Sequence, residues 1–164
     1  MTDSQNGYWA NNINITNVFE IPKCNRYIRL RMGAPGLVLI HFATWFDRNI
    51  EPLDQGKFDE WGYAERNIIG SEAVSNHASG TAMDLNATKH PLGQRNTFSN
   101  AQEKAIRTRL KHYNGCIRWG GDYENRADEM HFELNRGLSA VQDLWHNKLR
   151  DTPIGEEVRR AQHG

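Results

Sequence analysis

The chain has 164 residues, with 20 Lys and Arg balancing 20 Asp and Glu. That balance argues against a nucleic acid or an anionic membrane held by bulk charge. Mean hydropathy is low at -0.77, yet five Trp, six Phe and five Tyr supply large core side chains. A chain of this length suits one domain and can bury a core without a disulfide or a structural metal.

Cys24 and Cys116 lie far apart and form no C-x-x-C pair, which fits two reduced, partly buried thiols. The amino-terminal segment has no basic region followed by an apolar run, so no secretory signal is expected. No stretch reaches the roughly 18 apolar residues of a membrane-spanning helix. Residues 1–20, rich in Asn, Thr and Ser, read as loop or a loosely attached edge. An amphipathic helix is predicted over Pro35–Asn49, with Pro35 at its start and Leu37, Ile40, Phe42, Trp45 and Phe46 near helical spacing. The Glu51-Pro52 step ends it.

Residues 57–66 alternate loosely and are predicted as a strand, followed by a loop through Gly80. Thr81–Asn86 alternates like a short strand. Ser99 and Gln102 form a capping box for a helix running to about Tyr113, which Asn114-Gly115 stops. Cys116–Trp119 and Met130–Leu134 read as strands, with a turn at Gly120–Tyr123 between them. A last helix is predicted from Ser139 to Leu149, again with a Ser-x-x-Gln start. The polar segment 151–164 reads as a frayed tail or the start of a linker, which leaves 1–150 as the domain. Helices and strands mix without βαβ alternation, so the expected class is α+β, a small antiparallel sheet packed with about three helices.

Two segments carry chemistry. Catalytic zinc takes three protein ligands, commonly His nitrogens and a carboxylate, with one position left open and a base nearby. In Ser75–Asp84, His77 leaves a polar loop and Asp84 sits on the following strand. The small residues Gly80 and Ala82 between them suit a close backbone approach. In Asp128–Glu133, His131 and Glu133 share one strand face by two-residue alternation, and Asp128 stands at the mouth of that strand. Glu133 has two readings, an acceptor that orients a ligating histidine or a solvated carboxylate. Asp128 has two as well, a base or a turn residue. His41, His90, His112, His146 and His163 have no ligand spacing.

The pattern S-x-H-x-x-G-x-A-x-D followed by D-x-x-H-F-E resembles a zinc peptidase family. It holds D-alanyl-D-alanine carboxypeptidases, vancomycin-resistance dipeptidases and L-alanyl-D-glutamate endopeptidases of phage endolysins, and shares its fold with the hedgehog signalling domain. Tyr63–Arg66 and Arg118–Tyr123 are similar to further stretches of that family. The resemblance implies Zn2+ held by His77, Asp84 and His131. It implies Asp128 as general base toward the attacking water. Arg66 would steady the scissile carbonyl oxygen or a substrate carboxylate, and Ser75 would contact substrate or support a ligand. The implied substrate is the stem peptide of bacterial peptidoglycan, cut by an L-alanyl-D-glutamate endopeptidase of phage-lysin type. D-alanyl-D-alanine carboxypeptidase and a non-catalytic zinc-binding module are the alternatives. Such a protein would be a monomer or one module of a larger lysin, made in the cytoplasm and acting on the wall after release, with no nucleic-acid partner and no membrane insertion.

Overall fold

The structure, a computed structural model, describes residues 2–68 and 70–163, the last by its backbone alone, so the side chain of His163 lies outside the described residues. Two strands, β1 (Thr16–Ile21) and β2 (Arg26–Arg31), form an antiparallel hairpin, with Thr16 opposite Arg31 and Ile21 opposite Arg26. Alternation buries Phe19, Ile21, Ile28 and Leu30 on one face and leaves Val18, Tyr27 and Arg29 on the other. The expectation of loop through residue 20 is therefore corrected. This hairpin is half-exposed, so its outer face reads as polar in sequence. Helix α1 (Ala34–Asn49) follows, with Pro35 in its first turn. Val38, Leu39, Ile40, Phe42, Ala43 and Phe46 are fully buried along it.

The second sheet has the order β3-β5-β4, built from Ala82–Asp84, His131–Leu134 and Ile117–Trp119, all antiparallel. Phe132 in central β5 packs on Phe42, with ring centroids 4.7 Å apart, and stacks on Trp119. Its neighbours His131 and Glu133 consequently face the other way. α2 (Asn100–Leu110) carries the capping box of Ser99 and Gln102, and a 3-10 turn continues it through Tyr113. The positive φ of Asn114 and Gly115 stops it.

Three further expectations differ. Residues 57–66 form no strand, since their ladder contact is the single bridge Trp61–Asp84. The last predicted helix is α3 (Leu138–Leu144) extended by a π-helical turn over Trp145–Leu149. Its cap is Gly137, with no Ser139 side-chain bond. The tail is helical: α4 (Pro153–His163) lies against α1 and β1 with Val158 fully buried. Gln162 there donates to the Glu20 carbonyl and accepts from the Glu20 N–H. The class remains α+β, with two small antiparallel sheets and four α-helices among the described residues. No described helix is long and apolar enough to cross a membrane.

Candidate metal centre

Strand register assembles the site. On β3 and β5, Asp84 stands directly opposite His131, and Ala82 opposite Glu133. On the other flank of β5, Arg118 of β4 is opposite Glu133. Cross-strand partners share a face, so Asp84, His131, Glu133 and Arg118 project away from the aromatic core.

His77 comes from a 3-10 turn, Asn76–Ser79, which Ser75 caps by accepting the His77 N–H at 3.2 Å. Gly80 closes that turn at φ +70°, and a Cβ there would lie 2.5 Å from the Arg31 nitrogen. A side chain at this position would push the turn off β2, so the glycine fixes where His77 stands.

His77 Nε2, an Asp84 carboxylate oxygen and a His131 nitrogen all lie within 4.8 Å of one another, and all three residues are buried. Among the described residues they are the one such group of His, Cys, Asp and Glu. Each imidazole is turned by its far nitrogen. His77 Nδ1 is 2.8 Å from the Gly62 carbonyl, which can only accept, so the proton sits there and Nε2 keeps a lone pair. His131 Nε2 donates to Glu133 Oε1 at 2.6 Å, and Nδ1 faces Asp84 Oδ1 at 3.1 Å. His77 Nε2 approaches Asp84 Oδ1 to 3.3 Å, yet it is buried with no hydrogen-bond partner. An orphaned buried nitrogen is costly inside a protein, and a cation between these three atoms satisfies it. Two imidazole nitrogens and one carboxylate oxygen fit zinc.

Glu133 is saturated. Oε1 also accepts from Tyr123 Oη at 2.6 Å, and Oε2 from Asn76 Nδ2 at 3.0 Å. Burial raises its pKa, but the His131 hydrogen bond and charge outweigh that and hold it below the usual range. Of its two sequence readings, the solvated carboxylate does not apply. Asp84 behaves alike: burial opposes its charge, and the facing His77 and His131 hold it well below an ordinary carboxylate. Burial works against a charge on His131, yet the bonds to Asp84 and Glu133 raise its pKa to about 10. The pocket is therefore a strong cation trap.

Asp128 is held by its backbone. Its N–H donates to the Gly120 carbonyl at 2.9 Å and its carbonyl accepts from the His131 N–H at 3.1 Å. A Cβ on Gly120 would meet the Asp128 carbonyl oxygen at 2.3 Å, which explains the glycine after Trp119. Oδ2 lies 4.0 Å from His131 Nδ1, while Oδ1 is buried with no hydrogen-bond partner. Desolvation first, and the nearby Asp84 charge, raise the Asp128 pKa against the lowering pull of His131. A raised carboxylate pKa makes a better proton acceptor.

Two clefts meet at this centre, of about 560 Å³ and 550 Å³, and both are lined by Arg66, His77, Leu92 and Asp128. One arm is polar and of mixed charge, with Arg118 and Arg126 beside Asp122, Glu124 and Glu133. The other is aromatic, with Tyr27, Trp61 and Tyr63. Arg66 is exposed where the arms join. All seven residues singled out from the sequence border or build this one groove. Ser75 combines a place in the lining with its cap on His77.

A family model described as D-alanyl-D-alanine carboxypeptidase matches residues 69–134. The match covers about two fifths of the chain and supports a peptidase acting on peptidoglycan. It includes Ser75, His77, Asp84, Asp128, His131 and Glu133, whereas Arg66 lies just before it. No curated protein and no solved structure matches the chain significantly.

Sequence reasoning missed Asn76 and Tyr123, which hold Glu133, and the Gly62 carbonyl, which orients His77. Asn76 and Tyr123 stood inside the quoted motifs, so their polar character was a usable signal. The Gly62 contribution is backbone and leaves no mark in composition. Among the described residues the remaining histidines take no part: His41 is buried between Tyr113 Oη (2.9 Å) and Thr152 Oγ1 (3.0 Å). His90 stacks on Phe98 and bonds Glu51 and Thr97. Both cysteines are free and buried.

Proposed function

We propose that this protein is a zinc peptidase that cuts the peptidoglycan stem peptide between L-alanine and D-glutamate. The observation that carries the choice of bond is the groove. It continues on both sides of His77 and Asp128, so substrate extends in both directions from the scissile amide. A carboxypeptidase needs the leaving side closed around a terminal carboxylate. The description of the matching family favours that second reading, D-alanyl-D-alanine carboxypeptidase, and Arg118 and Arg126 are the cations that would meet such a carboxylate.

Zinc held by His77, Asp84 and His131 would supply a Lewis acid that polarises the scissile carbonyl and acidifies a water. Glu133 and the Gly62 carbonyl keep both imidazoles turned toward that position. Asp128, with its free Oδ1 and raised pKa, takes the proton of the attacking water and delivers it to the leaving amine. Arg66, exposed where the two arms join, would bring a cationic fork beside the carbonyl oxygen as charge develops there. A bare zinc-binding module has no use for a half-buried carboxylate with one orphaned oxygen beside the ligands, and that favours an enzyme. We assign the same site to a phage lysin, acting on the wall after release from the cytoplasm.

Mass spectrometry of fragments from defined peptidoglycan tests this. Cleavage after L-Ala leaves stem peptides with a new amino-terminal D-Glu. Loss of a single terminal D-Ala would instead establish the carboxypeptidase.

A further inference from the structure

We propose that the aromatic arm of the groove is a carbohydrate subsite that seats the glycan side of the substrate against Trp61 and Tyr27. The inference rests on the endopeptidase reading above and adds the direction in which substrate lies.

Trp61 is 53% exposed and Tyr27 56% exposed, and both line the same cleft with Tyr63. Single exposed apolar residues are ordinary, but rings converging on one groove mark a binding surface. Tyr27 lies on the outer face of β2 and Trp61 in the loop leading to the site, so two separate segments supply the two rings. Trp61 is tied to the metal centre by its backbone. Its N–H donates to the Asp84 carbonyl at 3.0 Å, and the Asp84 N–H donates to its carbonyl at 2.8 Å. Residues paired in this way stand about 5.5 Å apart at Cα with side chains on the same face. The indole thus starts within about two residue lengths of a ligand, at roughly 3.3–3.6 Å per extended residue. In an L-alanyl-D-glutamate cut, one alanine and a lactyl group separate the scissile amide from the sugar, which is that span.

The chemistry of the arm suits a pyranose. An aromatic face is electron-rich and meets the weakly positive C–H face of a sugar ring. Arg29 lines the same wall with one guanidinium nitrogen on Thr16 Oγ1, leaving further N–H donors for hydroxyl or acetamido oxygens. The opposite arm is polar, and among its mixed charges Arg118 and Arg126 are the cations that would meet the free glutamate carboxylate.

The zinc-loaded protein, Trp61→Ala, Trp61→Phe and Tyr27→Ala are compared on a disaccharide-linked stem peptide and on the same peptide without sugar. Trp61→Ala should raise KM for the sugar-bearing substrate roughly tenfold, the size expected for losing one aromatic face. The sugar-free peptide should lose far less than that, and Trp61→Phe should keep much of the preference. Equal losses on both substrates would overturn the proposal, since Trp61 would then merely support Asp84. No preference for the sugar in the parent protein would overturn it too. The underlying reading fails differently, when the parent releases no new amino-terminal D-Glu from either substrate. In that event the indole N–H resonance of Trp61, titrated with peptide-free N-acetylglucosaminyl-N-acetylmuramic acid, still decides the subsite. A saturable shift that Tyr27→Ala weakens supports it, and no shift refutes it.

Discussion

Glu133→Gln probes how the site prepares its ligands. The carboxylate receives three donors: His131 Nε2 at 2.6 Å and Tyr123 Oη at 2.6 Å on one oxygen, Asn76 Nδ2 at 3.0 Å on the other. Glutamine offers one accepting oxygen and brings two donors of its own. If the amide oxygen stays with His131, the amide nitrogen faces the Asn76 nitrogen. Asn76 cannot simply flip, because its Oδ1 already accepts the Asn6 N–H at 2.9 Å. Either way His131 loses a negatively charged partner, its ring is less firmly oriented, and Nδ1 becomes a weaker donor to metal. Losses of such supporting contacts typically cost about 10–100-fold in metal affinity, or roughly 1.4–2.7 kcal/mol. Competition against a chromophoric chelator measures this directly, with circular dichroism to check folding. Tyr123→Phe, which leaves the carboxylate intact, should cost less than about tenfold. A folded Glu133→Gln protein that binds zinc as tightly as the parent would refute the reasoning.

Asp128→Ala should retain zinc and lose turnover by about 10²–10⁴-fold, read by fragment release from purified cell wall. Gly80→Ala forces a Cβ to 2.5 Å from the Arg31 nitrogen at φ +70°. It should therefore destabilise the fold by about 1–3 kcal/mol in urea and weaken zinc binding with it. Val158→Ala removes two buried carbons at about 0.8 kcal/mol each, plus a cavity, so about 2 kcal/mol of stability should be lost. An unchanged midpoint for that variant would mean that α4 is not part of the core.

Much of this site could be read in the chain because its ligands lie in two short segments whose local structure is simple. The alternation of Met130–Leu134 put His131 and Glu133 on one face, and β5 does so with Phe132 turned into the core. The Ser99–Gln102 box was legible for the same reason, since capping is a matter of three residues. What escaped depends on distant partners. The β1–β2 hairpin has one solvated face and lies in a polar stretch, so only pairing reveals it. In α4 the buried face is narrow: Ile154, Val158 and Gln162 recur every fourth residue, and the last holds β1 through its amide rather than by apolar area. Residues 57–66 alternate as a strand would, yet their partner is one residue of β3, so they remain a loop that delivers Trp61 and the Gly62 carbonyl. The Asn6 bond to Asn76 spans 70 residues and no local pattern encodes it.

The central claim is a zinc ion held by His77, Asp84 and His131. Zinc K-edge absorption on the protein loaded with one equivalent tests it most directly. The account predicts a first shell of two imidazole nitrogens and light oxygen scatterers at ~2.0–2.2 Å, with one imidazole lost in His131→Ala. A shell containing sulfur at ~2.3 Å, or one that His131→Ala leaves unchanged, would contradict it.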